Sequence, residues 1–198
     1  MSLANYEYPN GYKEERRREK LNGVFYFMTP SATIPHGESS SNIEFIFKRF
    51  LRGRQCRAFG DKIDVFLTKD DTVIPDVMIV CNRDIIKENG IHGAPDLIVE
   101  ILSLSTSKRD KGYKKDLYER CGIKEYWIVD TKNKTIEVYL LKDGKFNLDN
   151  LYFVPNEDWL NDDRNDERDK VVYEFKTSLF DDLIIDIREV FEGIDDFS

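Results

Sequence analysis

Hydrophobic and polar positions follow two periods along this chain, and the changes of period mark out its elements. Residues 23–28 read as a first strand. After Pro35, His36 and the small polar run of residues 38–41, the side chains Ile43, Phe47, Phe50 and Leu51 recur at helical spacing. Lys48, Arg49 and Arg52 fall on the other side, which predicts an amphipathic helix with a basic end. Residues 63–67 alternate as a strand, Asp70 and Asp71 form an acidic turn, and residues 77–80 are a short apolar run behind Pro75. Residues 96–102 (DLIVEIL) are almost continuously apolar, as expected of a central strand buried on both faces. Ser103, Ser105 and Thr106 offer caps for a helix over residues 108–121, which Gly122 stops. Residues 126–129 and 135–141 predict a hairpin through residues 130–134. A strand over residues 171–175 and a short helix over residues 183–191 follow. A buried strand feeding directly into a helix, among further strands, predicts an α/β domain with a central mixed sheet flanked by helices.

The chain has 198 residues, enough for one domain. The expected division is a polar N-terminal segment, residues 1–20, and a single domain over residues 21–198 whose C-terminal part is acidic. Hydrophobic residues at 40% and aromatics at 13% exclude the composition of a disordered chain. No apolar run approaches the roughly 20 residues of a membrane span, and KEERRREK stands where a signal peptide would be apolar. The expectation is therefore a cytoplasmic protein with no membrane partner. Cys56, Cys81 and Cys121 are widely spaced with no C-x-x-C pair, so they read as free thiols rather than as a disulfide framework or zinc site.

The net charge of −8 argues against a nucleic-acid partner until its distribution is considered. Residues 156–198 hold 15 acids and 5 bases, a balance of −10, so the rest of the chain stands at +2. Residues 48–57 carry five bases and no acid; residues 108–120 carry six bases and three acids. Two such stretches could meet phosphates, although solvated helix faces have the same composition.

Glu100 interrupts the apolar strand, and a buried carboxylate costs several kcal/mol unless it is paired or metal-bound. Asp96 shares its strand face but lies roughly 13 Å away, too far to share an ion. Asp76, after Pro75 on a neighbouring strand about 4.8 Å away, could converge with Glu100 on one hard cation. A lysine two residues beyond the glutamate would complete a phosphodiester-cleaving site, but that position is Leu102. The next helix offers Lys114, which borders the buried face through Leu117, Tyr118 and Cys121, and Lys115, which looks outward. Asp110, Lys114 and Tyr118 stack at intervals of four, so a simple Asp110–Lys114 pair is the competing account.

These residues, from Pro75-Asp76 through APDLIVEILSLST, Asp110, Lys114 and Tyr118 to CGIKEYWIVD, resemble the Uma-two family, a restriction-endonuclease-like branch of the PD-(D/E)xK nucleases. The resemblance implies a restriction-endonuclease-like fold, a Mg²⁺ or Mn²⁺ ion and cleavage of nucleic acid, DNA in the first place. It makes Asp76 and Glu100 metal ligands, with the Ile101 carbonyl as a further one, and Lys114 a catalytic lysine moved from strand to helix. His36 matches an accessory histidine, while Leu104 stands where proline is usual. Arg52, Arg54, Lys108 and Lys111 would grip the nucleic-acid backbone. A non-cleaving binding module of the same fold is the alternative, an acidic domain with a buried Glu100–Lys114 pair is a third reading, and a homodimer is left open.

Overall fold

The computed structural model describes residues 17–28, 32–60, 62–103, 107–161 and 170–194. Leu104, Ser105, Thr106 and nearly all of the acidic stretch 161–169 lie outside them. The large sheet has the order β12 (Lys145–Phe153), β11 (Thr135–Lys142), β10 (Glu125–Asp130), β9 (Leu97–Ile101), β6 (Val77–Val80) and β3 (Arg57–Gly60). Only β9 and β10 run parallel, so the sheet is mixed. A second sheet has the order β2 (Val24–Phe27), β1 (Arg18–Leu21), β5 (Thr72–Val73), β4 (Val65–Phe66), β8 (Gly90–Ile91) and β7 (Ile86–Lys87). After the short helix α4 (Glu157–Asn161), a hairpin of β13 (Glu174–Lys176) and β14 (Ile184–Asp186) completes the strands.

Alternation along the central strands builds two cores, because successive side chains point to opposite faces. Val77, Ile79, Leu97, Val99, Ile101, Trp127 and Val129 face α1 (Ile34–Leu51) and α5 (Ile187–Val190) together with Phe175 and Ile185 of the hairpin. Met78, Val80, Ile98, Tyr126 and Ile128 face the second sheet and Leu117 and Tyr118. Every residue of β6 and β9 is buried, as a strand covered on both faces requires. Phe47 meets Trp127 edge-on at 5.4 Å between ring centres, fixing α1 across the middle of the sheet.

Helix α1 begins earlier than its apolar period implied. Thr33 caps it by accepting the His36 N–H at 3.4 Å, and Pro35 sits in the first turn, where it has no intrahelical N–H to forfeit. The chain after β9 runs through α2 (Ser107–Arg109), a π-helical turn (Asp110–Lys114) and α3 (Lys115–Cys121). Gly122, at φ 79°, closes α3 in the left-handed conformation, with Ile123 N–H returning to the Tyr118 carbonyl at 3.1 Å.

Three expectations are corrected. The helix expected over residues 183–191 is half strand: Leu183, Ile185 and Ile187 are buried while Ile184 is exposed, a period of two that places β14 before α5. The strand expected over residues 171–175 is confined to Glu174–Lys176. Cys56 and Cys81 are not free thiols but a disulfide, and only Cys121 is free. The antiparallel register that sets Arg57 opposite Val80 places Cys56 opposite Cys81 one step further, a neighbour relation that their spacing of 25 conceals. Among the described residues no helix is long and apolar enough to cross a membrane.

Candidate active site

The site forms where β9 ends and β6 begins. In the β6–β9 register Val77 faces Val99, so the next step sets Asp76 opposite Glu100. Asp76 Oδ2 accepts the Ile101 N–H at 2.7 Å, which closes the ladder and fixes the carboxylate. Its Oδ1 lies 3.4 Å from His36 Nε2 in the first turn of α1, and the Ser40 hydroxyl reaches the Asp76 carbonyl at 3.5 Å.

Glu100 is 3% exposed and shares the strand face of Ile98. Its Oε1 accepts from Lys114 Nζ at 3.0 Å and from the Tyr118 hydroxyl at 2.5 Å, while Oε2 has no hydrogen-bond partner among the described residues. Lys114 Nζ also lies 2.8 Å from Glu19 Oε1 and 3.4 Å from Asp110 Oδ1. The expected Asp110–Lys114 pair therefore exists, but within a larger network. Glu19, in the middle of β1, additionally accepts the Ile74 N–H at 3.0 Å. The π-helical turn carries both Asp110 and Lys114 inward, and the Tyr126 hydroxyl donates to the Asp110 carbonyl at 3.0 Å.

Three buried carboxylates, those of Glu19, Glu100 and Asp110, thus surround one buried ammonium, and a fourth, Asp76, lies opposite Glu100 across the strand pair. Burial drives Glu100 well above the ordinary carboxylate range, with Asp110, Asp76 and Glu19 adding to the rise and Lys114 opposing it. Burial alone would push Lys114 down, yet Glu100, Glu19 and Asp110 hold it well above its usual value, so it stays charged. The neighbouring carboxylates act in both directions, adding to the burial-driven rise of Glu100 and outweighing burial at Lys114. Tyr118 is held well above the usual tyrosine range by burial and by Glu100, so its hydroxyl remains a donor. Glu125, just as buried on β10, shows the neutral arrangement. Its oxygens accept from Trp127 Nε1 and from the Ser178 N–H and hydroxyl, each at 2.6 Å.

The residues expected to touch nucleic acid separate into two groups. Lys108 and Lys111 lie in the helical segment after β9; Lys111 pairs at 2.6 Å with Glu137, which faces Ile128 beside Glu100 in the sheet. Arg52 and Arg54 lie beyond the far end of α1, whose 18 residues span about 27 Å from the turn holding His36. There Arg54 pairs with Asp182 at 2.7 Å, and a cavity of about 550 Å³ is lined by Arg54, Gln55, Asn82, Arg83 and Asp84. Lys115 lies over the Tyr139 ring at 3.6 Å, away from the carboxylates.

Sequence reasoning missed Glu19. It sits in a polar run within residues 1–20, and only pairing in a sheet reveals that Glu19 and Leu21 point inward while Arg18 and Lys20 do not. Among the described residues no three His, Cys, Asp or Glu side chains form a group able to hold a metal ion. The donors suited to a hard cation are Asp76 Oδ1, Glu100 Oε2 and the Ile101 carbonyl, with solvent completing the shell, and Mg²⁺ characteristically keeps several waters.

Residues 5–163 match the family model described as "Uma2: Putative restriction endonuclease". A Synechocystis sp. protein described as "Uncharacterized protein slr1290" is 31% identical over 132 residues, covering 64% of this chain and 68% of its own. A crystal structure described as a "putative nuclease belonging to DUF820", from Anabaena variabilis, superposes with a TM-score of 0.67 at 20% identity. It covers 89% of this chain and 90% of its own, and at that identity it shows the shared fold.

Proposed function

The chain belongs to the Uma2 family, and on that premise we propose a nucleic-acid-binding protein of nuclease type whose carboxylate centre takes a divalent cation to cleave phosphodiester bonds. The observation that carries this reading is the charge surplus: three carboxylates share one ammonium, and a fourth, Asp76, stands opposite Glu100 at the adjoining strand end with His36 beside it. Asp76, Glu100 and the Ile101 carbonyl would hold the ion, and Mg²⁺ or Mn²⁺ there would supply Lewis acidity and a water of lowered pKa.

The protein's own groups prepare that chemistry. The Ile101 N–H holds one oxygen of Asp76 and leaves the other directed toward His36. Tyr118 and Lys114 together hold Oε1 of Glu100 and leave Oε2 unengaged. Lys114 keeps its charge because carboxylates surround it, so it can offset charge on a phosphate or orient water. Lys108 and Lys111 lie on the same side for backbone contacts.

A second reading, a binding module that does not cut, is favoured by two observations. Lys114 is committed to three carboxylates, and among the described residues no third side-chain ligand joins Asp76 and Glu100. Cleavage assays on single- and double-stranded DNA and on RNA, with and without Mg²⁺ or Mn²⁺, separate the two. The proposal expects cation-dependent cutting that Asp76→Asn and Glu100→Gln abolish and that Lys114→Ala lowers by on the order of 10²-fold. Binding without cutting at every cation concentration establishes the second reading.

A further inference from the structure

The β1–β2 hairpin forms the wall behind Lys114, and its other face is exposed. Its register pairs Arg18 with Phe27, Glu19 with Tyr26, Lys20 with Phe25 and Leu21 with Val24. Residues directly opposite in an antiparallel pair share a face. Glu19 and Leu21 are buried toward the site and core, so Arg18, Lys20, Phe25 and Phe27 stand on the outer face. Phe25 is 50% exposed and Phe27 62%, on a strand that, among the described residues, is hydrogen-bonded only along its β1 side. Large apolar surface left in water on an edge strand calls for an occupant. Its setting is cationic: the Arg18 guanidinium lies 4.3 Å over the Phe25 ring, and Lys20 shares the face opposite Phe25.

Exposed rings set among a guanidinium and an ammonium suit a ligand with flat apolar faces joined by anionic links, which is unpaired nucleic acid. A duplex hides its base faces within the stack and could use only the cations. We propose that the outer face of the β1–β2 hairpin is a stacking platform for unpaired bases, which makes single-stranded nucleic acid the substrate class delivered to the carboxylate–lysine centre. The inference rests on the nuclease reading for its destination. Continuity supports it: Glu19, one residue from both Arg18 and Lys20, is 2.8 Å from Lys114 Nζ. Glu19 points to the opposite face, so the platform backs on the wall of the site and a strand lying on it would enter by passing round the β2 edge.

The test is fluorescence anisotropy on the full chain without divalent cation, using labelled oligothymidylate and oligouridylate of about 12 nucleotides and a DNA duplex of the same length. The parent should bind strand more tightly than duplex. Phe25→Ala and Phe27→Ala should each weaken strand binding about ten-fold and leave duplex binding unchanged, whereas Phe27→Trp, which retains a stacking surface, should keep parental affinity. A Phe25→Ala/Phe27→Ala protein that binds both strands like the parent overturns the proposal, as does a parent that prefers duplex. So does loss of a dimer in sedimentation with unchanged strand affinity, since the face would then join two copies of the chain. Repeating the titration on Glu100→Gln separates this inference from the reading beneath it. Ring-dependent binding without any cation response retires the cleavage proposal alone, and cation-dependent cutting without ring dependence retires the platform alone.

Discussion

The two ends of the β6–β9 pair begin alike and finish differently. Pro75-Asp76 leads into β6 and Pro95-Asp96 leads into β9, and each aspartate accepts the N–H of the residue facing its strand's start, Ile101 and Cys81 respectively, both at 2.7 Å. As strand-end caps they are equivalent, and related antiparallel geometry produces both. The remaining oxygens distinguish them. Asp96 Oδ1 pairs with Lys124, whose side chain is 63% exposed, at 2.7 Å. Asp76 Oδ1 faces His36, beside the buried network of Glu100, Lys114, Glu19 and Asp110. A Pro-Asp at a strand start is therefore a structural device first. The centre proposed for chemistry lies at the end where the strand face also carries Glu100 and the following helix brings back Lys114.

The contrast predicts a hierarchy of effects. Lys114→Ala leaves Glu19, Glu100 and Asp110 buried without their cation and should cost about 3–5 kcal/mol in urea unfolding. Lys124→Ala, at the solvated end, should cost less than about 1 kcal/mol. Equal losses would erase the distinction between the ends. Cys81 carries the N–H that caps Asp96 and is bonded to Cys56, so reducing that disulfide acts on the Asp96 end. Releasing a loop of this size should cost about 3 kcal/mol in thermal or urea unfolding while leaving any cation response intact.

A smaller effect tests the ion itself. At about ten times its dissociation constant, Mg²⁺ or Mn²⁺ should add about 1.4 kcal/mol of stability, read as a rise in Tm. Asp76→Asn and Glu100→Gln should remove that rise, and Asp96→Asn should keep it. A rise that survives Glu100→Gln would place the ion elsewhere.

The smallest effect per pH unit concerns Glu100. Because its folded pKa is raised, the folded state holds a proton that the unfolded state releases, so stability from this group falls as pH climbs above the ordinary glutamate value of about 4.3. Lys114, raised above its usual value, contributes fully below that usual value of about 10.4 and loses its contribution as the pH rises from there through the higher folded value. Glu100→Gln should flatten the first slope. Cation binding should release protons, measurable as a buffer-dependent heat in calorimetry that Glu100→Gln abolishes.

Much of this centre was legible before the fold was known, because its signal was anomaly within a regular pattern. Glu100 stood out in an apolar run, Lys114 bordered the apolar side of a helix, and Asp76 followed proline at the head of a short apolar strand. Burial of these residues in β9, the π-helical turn and the start of β6 matches those readings. The basic stretch at residues 48–57 had an equally clear pattern, yet its Arg52 and Arg54 end at the opposite edge of the sheet. Composition carries no information about which end of an 18-residue helix meets the site.

The sequence by itself determined the central strands, the two helical periods and the burial of Glu100 and Lys114. Each depends on periodicity within a few neighbouring residues, which local sterics and burial enforce. Only the tertiary structure decided that Glu19 completes the lysine's shell, that Cys56 and Cys81 are bonded, that residues 183–186 extend as strand, and that two like Pro-Asp turns differ in surroundings. Those outcomes depend on register between segments tens of residues apart. One step of register exchanges the inward and outward faces of every strand it touches, and no local pattern specifies that step.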